Sequence, residues 1–207
     1  MEYRSNQQAE LELRGVAEAQ GGYFTSREAA TAGYGYSHLT YHVGTGRFER
    51  VAHGTYRLST VPVSPHDELI RLSLWSRDSQ DRPQAVASHV TALTVHGLTL
   101  LLPEKAHLTV PLGFRKKPPT GCVLHRDELA RADFEPREGF SVTTPLRTLV
   151  DAAQSMDVPQ DELARAVRSA LERGLVTRPA LLKALQRAGL PTALLRKLRL
   201  VPPRTQR

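Results

Sequence analysis

The chain has 207 residues, 40% apolar and 24% charged, with a net charge of +7 and one cysteine. That length suits one large or two small domains with real cores, and a lone Cys122 excludes an internal disulfide and points to a reduced, cytoplasmic setting. The longest apolar run, around Leu98–Leu102, is too short for a bilayer span, and the first twenty residues are unlike a signal peptide, so no membrane partner is expected.

The charge is uneven. Residues 1–60 hold six basic and six acidic groups, residues 61–157 eleven and twelve, and residues 158–207 eleven and three. A basic tail suits a polyanion or an acidic protein partner, and a merely solvated helical face is the plainer alternative.

Residues 6–20 read as a helix, with Ala9, Leu11, Leu13, Val16 and Ala17 among charged neighbours and Gly21-Gly22 as its stop. Thr25 opens a second helix, and Glu28 three residues on completes a capping box. Gly33 ends it. Ser37 is the expected N-cap of a third helix. At about 100° per residue, Leu39 and Val43 share an inward face. Ser37, His38 and Tyr41 fall opposite, with Thr40 and His42 at the flanks. Phe48–Ala52 and Thr55–Leu58 then read as two strands joined at His53-Gly54, a pair suited to a tight hairpin turn.

Three helices and a hairpin make a winged helix-turn-helix, whose third helix enters the major groove. Hydroxyls and imidazoles can hydrogen-bond base edges, and a tyrosine offers apolar surface to thymine methyls. The expected base readers are His38 and Tyr41, then Ser37, Thr40 and His42. Thr25, Ser26 and Arg27 would bring first-turn amides to a phosphate. Arg47, Arg50, His53 and Arg57 would meet phosphate or minor groove from the hairpin. Packing of Tyr41 on a neighbouring domain, or Arg50 and Arg57 as plain exposed strand residues, are the alternatives. His38 and His42 stand four apart, yet no carboxylate or thiolate completes a metal site locally, so no metal is expected. Neutrality of residues 1–60 weakens phosphate binding by this module alone, because counterion release needs cations. A dimer on DNA, or the basic tail, would repair the deficit.

Beyond it, Ser64-Pro65 opens a helix running to about Ser76, with Trp75 as a core or interface anchor. Gln84–Ala87 reads as a short strand, followed by a small helix ending at Gly97. HLTVPL, CVLHR and FSVTT are strand-like, and Thr144-Pro145 starts a further helix. Cys122, inside CVLHR, is expected to be a buried, inert thiol. Arg115–Gly121 is a cationic loop, suited to phosphate, to a partner's acid or to solvent alone. Residues 160–173, 178–188 and 191–199 read as three amphipathic helices with basic outer sides.

The chain carries no Gly-rich phosphate loop ending in Gly-Lys-Ser/Thr, no Gly-x-Ser-x-Gly elbow and no Asp-x-Asp behind a Gly-Ser pair. Glu104-Lys105 with Asp81 upstream is poorly spaced for a nuclease metal site. No enzyme activity and no cofactor are therefore expected.

The run GGYFTSREAATAGYGYSHLTYHVGTGRFERVAHGTYRLS, Gly21–Ser59, resembles the N-terminal winged helix of AbiEi-type antitoxins, from bacterial abortive-infection toxin–antitoxin pairs. Gly46, Phe48, Arg50, Val51, Gly54, Thr55, Tyr56, Arg57 and Leu58 carry the second half of that pattern. VASHVTALTVHGL and FSVTTPLRTLVDAA are similar to the family's following α/β domain. Together with the residue patterns above, the resemblance, fainter after about residue 155, leads us to expect an α+β protein with three parts. They are a winged helix-turn-helix over 1–60, an α/β antitoxin domain with a small sheet over 61–157, and a basic helical region over 158–207. It also implies an antitoxin that binds repeats in its own promoter DNA as an autorepressor and opposes a nucleotidyltransferase-like toxin, with or without direct contact. The alternative is an interaction module that holds a toxin without binding DNA.

Overall fold

Helix α1 (Asn6–Glu18) opens the described chain, which in the computed structural model comprises residues 6–155 and 157–201. Its stripe Ala9, Leu13 and Ala17, spaced by four, is buried, whereas Leu11 stands 70% exposed on the polar side. A three-residue strand that the sequence did not signal, β1 (Tyr23–Thr25), follows. It ends on Thr25, the N-cap of α2 (Ser26–Ala32). Thr25 Oγ1 accepts from the Glu28 amide at 3.1 Å, and Glu28 Oε2 accepts from the Thr25 amide at 2.7 Å. This is the expected capping box. Gly33 closes α2 in the left-handed region at φ 102°, which an L side chain resists. Replacing Thr25 by Ala leaves a first-turn amide unpaired. The expected cost is about 1 kcal/mol, read as a lower urea midpoint.

Helix α3 (Tyr36–Gly44) begins two residues earlier than a cap at Ser37 implies, with Gly35 at its N-cap. The strands β2 (Phe48–Ala52) and β3 (Thr55–Leu58) form the expected hairpin, with Arg50 opposite Tyr56 and a bulge between Arg50 and Ala52. Gly54, at φ 69°, makes the turn. Because β1 pairs with the other side of β3, the sheet order is β1-β3-β2 and β3 is central. Phe24, fully buried, meets Phe48 edge-on at 5.0 Å and stacks on Tyr56 at 5.7 Å. These rings hold the sheet to the three helices.

Helix α4 (Asp67–Ser76) starts two residues later than Pro65 suggests, because Ser64 O accepts the Asp67 amide in a preceding turn. It is tied to the same core. Tyr23 Oη donates to Asp67 Oδ1 at 2.6 Å, and Arg77 Nη1 donates to Glu28 Oε1 at 2.9 Å.

The second sheet contains β4 (Val86–Ala87), β5 (Ala106–Val110), β6 (Cys122–Arg126), β7 (Phe134–Arg137) and β8 (Phe140–Thr143), in the order β6-β5-β4-β8-β7. β7 was not anticipated. β5 is parallel to β6 and antiparallel to β4, and β4 is parallel to β8. β5 is buried along its whole length, while β6 is an edge strand. Cys122 is therefore half-buried rather than sealed in the core. Helix α5 (His89–Val95) follows β4, and α6 (Pro145–Gln154) follows β8 with proline at its first turn. The tail forms α7 (Gln160–Glu172), α8 (Arg178–Arg187) and α9 (Thr192–Lys197), close to the expected spans. These helices share one core with α5 and α6, in which Leu149, Ala166, Leu181 and Leu185 are inaccessible to solvent.

The architecture is thus α+β, with helices and two small sheets. The chain divides into two compact units. The first runs to Pro83 and includes Arg137–Phe140; the second holds Gln84–Pro136 and the chain from Ser141 onward. Among the described residues, no helix is long and apolar enough to cross a membrane.

Candidate nucleic-acid interface

Leu39, 3% exposed, fixes the rotation of α3, and its neighbours a turn away, His42 and Val43, are half-buried beside it. The opposite side is therefore open. Ser37, His38, Thr40 and Tyr41 are all exposed, with Tyr41 at 65%. Thr40 Oγ1 donates back to Tyr36 O at 3.0 Å, which leaves its lone pairs outward. Tyr36 was missed. It is the first residue of α3 and 80% exposed, more than Tyr41. The expectation that Ser37 caps the helix hid it, since that placed Tyr36 in the preceding loop.

His42 differs from its expected flank position. Its ring lies 4.8 Å from Phe48 and 5.5 Å from Tyr34, and its buried Nδ1 has no hydrogen-bond partner among the described residues. Burial first, then the Arg47 charge, holds its pKa below the usual imidazole value. It packs α3 onto β2 and does not belong to the outer face.

At the start of α2, Ser26 and Arg27 are exposed and Thr25 is half-buried. Two first-turn amides are already engaged. Ser26 N donates to Gly54 O at 2.8 Å, and Glu28 N to Thr25 Oγ1. The helix start is thus tied to the hairpin turn and offers an anion fewer backbone donors than the sequence suggests. Arg27 Nη1 donates to Ser79 O at 3.1 Å, which holds its guanidinium near this end.

The hairpin divides its cations. Arg50 and His53 are exposed on β2 and its turn, and Arg50 has no ion-pair partner among the described residues. Arg47 is exposed but bound to Glu10 of α1. Arg57 does not face outward as the sequence suggests. It stands on the central strand, 6% exposed, with Nη1 3.5 Å from Glu49 Oε2 and Nη2 donating to Val61 O. Side chains leave a strand only from the sheet faces, and on its face the Arg57 guanidinium is held by the Glu49 carboxylate and Val61 O. It cannot act as an outward phosphate contact.

The structure therefore gathers Ser37, His38, Thr40 and Tyr41 on one exposed helical face, adds Tyr36, and leaves Arg27 at the start of α2, Arg50 on β2 and His53 in the hairpin turn exposed. Arg57 and His42 belong to the packing. Such a face can hydrogen-bond and stack, but its electrostatic attraction is small.

Residues 12–59 match the family described as transcriptional regulator, AbiEi antitoxin. The chain is similar to the crystal structure of RV2827C protein from Mycobacterium tuberculosis, at 16% identity and a TM-score of 0.46, over 99% of this chain and 85% of that chain. No curated protein matches the chain significantly.

Proposed function

We propose, from the match of residues 12–59 to the AbiEi antitoxin regulators, that this chain is an antitoxin that binds its own promoter DNA as an autorepressor. The three helices and the hairpin of the first unit act as a winged helix-turn-helix. The observation that carries this reading is the outer face of α3, where His38 and Tyr41 stand exposed opposite buried Leu39. His38, Tyr41, Ser37, Thr40 and Tyr36 read base edges, while Arg27, Arg50 and His53 contact the backbone. Its protein partner is a nucleotidyltransferase-like toxin. The promoter carries repeated sites, occupied by a dimer whose second copy doubles the few phosphate contacts of each winged helix. In this reading the second unit serves antitoxin action through its α/β sheet and basic helices. The protein works in the cytoplasm by binding alone, without catalysis.

Titration of the upstream intergenic DNA by fluorescence anisotropy tests the reading. Arg50→Ala is expected to weaken binding to all sequences and to lower the salt slope by about one. His38→Ala should instead relax discrimination at particular base pairs, by about 1–3 kcal/mol each. If both variants bind that DNA as the parent does, the assignment is wrong.

Burial of Arg57 and pairing of Arg47 with Glu10 favour a second reading, in which the first unit is an interaction module without DNA affinity. Absence of promoter binding by the full chain, together with capture of the toxin encoded beside it, would select that alternative.

A further inference from the structure

Three of the eight histidines, far apart in sequence, meet within the second unit. His89 begins α5, His107 lies on β5 and His125 on β6. The rings of His89 and His125 stack at 3.5 Å with 14° between their planes. His107 Nδ1 and His125 Nε2 are 3.1 Å apart. His107 is buried and the other two are half-buried. His89 stands at φ 52°, a conformation that side-chain-bearing residues rarely adopt, with Nδ1 2.9 Å from Ser88 Oγ. Among the described residues, no group of three such side chains is placed to hold a metal ion.

We propose that the His89–His125–His107 stack is an acid-sensitive switch that holds the start of α5 against β5 and β6 while its rings are neutral and releases it when they take up protons. The geometry gives the reason. A 3.1 Å contact between two ring nitrogens needs one N–H and one lone pair, so it tolerates one shared proton. A second proton, delivered from solvent, sets N–H against N–H and places two cations in stacked rings. The same end of α5 is pinned to β5 by two hydrogen bonds, Ser88 N to His107 O at 3.0 Å and His107 N to Thr91 Oγ1 at 2.8 Å. Ring separation there strains both.

The charges around the stack are Asp157 before α7, Lys105 at the start of β5 and Arg147 on α6. Asp157 Oδ2, 3.8 Å from His107 Nδ1, favours the cation, while Lys105 and Arg147 oppose it. Burial is the largest influence on all three rings and lowers each pKa, that of His89 to about 3. Below about pH 6.5 the unfolded chain therefore binds more protons than the folded one, and stability falls as pH falls. This inference is independent of DNA binding.

The full-length chain tests it by thermal unfolding between about pH 7.5 and pH 5 and by NMR titration of the imidazole Cε1–H signals. The parent is expected to lose several degrees more than His125→Gln over that range, and the three parent rings should titrate well below about pH 6.5. His89→Asn, which tolerates the left-handed backbone, should show the same reduced dependence. Other titrating groups remain in every variant, so the difference belongs to the stack. Equal pH dependence in parent and variants, or parent ring signals that titrate independently near pH 6.5, would overturn the switch. If His125→Gln does not fold, the parent ring titration and His89→Asn decide the matter.

Discussion

Phe24→Ala is expected to lower the unfolding free energy by about 3–5 kcal/mol. Phe24 is inaccessible to solvent and lies where Phe48 of β2 and Tyr56 of β3 converge. Its removal forfeits the transfer free energy of a whole ring and leaves a cavity that three elements cannot all close. It also deletes two aromatic pairs, each worth about 0.5–1.5 kcal/mol beyond area burial. Against a total of about 5–15 kcal/mol, that loss is large enough to open the first unit. Phe24→Leu, which retains most of the apolar volume, should cost far less. Urea unfolding of both variants gives the comparison. A deficit below about 1 kcal/mol for the alanine variant would show that the ring does not organise this core.

Arg147→Met carries the second large effect, and its size depends on pH. Asp151 is 3% exposed, and its Oδ1 accepts from Arg147 Nε at 2.7 Å. Its Oδ2 is buried without a hydrogen-bond partner among the described residues. Burial raises the Asp151 pKa to about 6 even though Arg147 pulls it down. Arg147 also pairs with Asp127 and lies 3.6 Å from Asp133. Methionine in its place leaves the buried carboxyl without its cation at pH 8, at a cost of about 2–3 kcal/mol. The sign follows from linkage. A carboxyl whose folded pKa lies above its unfolded value of 3.8 binds its proton more tightly in the folded state. The pairing lost with Arg147 therefore matters above about pH 6, where the parent carboxyl is ionised, and the deficit fades as pH falls below that value. Urea midpoints of parent and variant should differ most at pH 8 and converge at about pH 5. A deficit that does not change with pH would mean that Asp151 is not the group left stranded.

The elements most legible in the sequence are those set by near neighbours. Thr25 and Glu28 are three residues apart, so the capping box forms wherever the rest of the chain goes. Gly54 was recognisable as a turn because a positive φ costs glycine little. The outward face of α3 followed from the spacing of Leu39 and Val43, and Ser37, His38, Thr40 and Tyr41 are indeed exposed. β1 was not legible, since three residues carry too little periodicity, and neither was β7, where Pro136 discourages a strand assignment. Asp67 rather than Pro65 begins α4 because a side-chain turn at Ser64 competes for that position.

Residues close together in the chain set the local grammar of this protein: capped helices, a hairpin turn, a basic tail and the polar side of α3. The tertiary structure alone decided which of those polar groups remain available. The Glu49 carboxylate and Val61 O, brought beside β3 by the fold, hold Arg57 down, and His42 packs against Phe48. Contact of β5 with β6 and α5 brought His107, His125 and His89 into one stack. The physical reason is range. Caps and turns are settled within about four residues, whereas burial of a charged or titratable side chain depends on strands that meet only after the chain has folded back on itself.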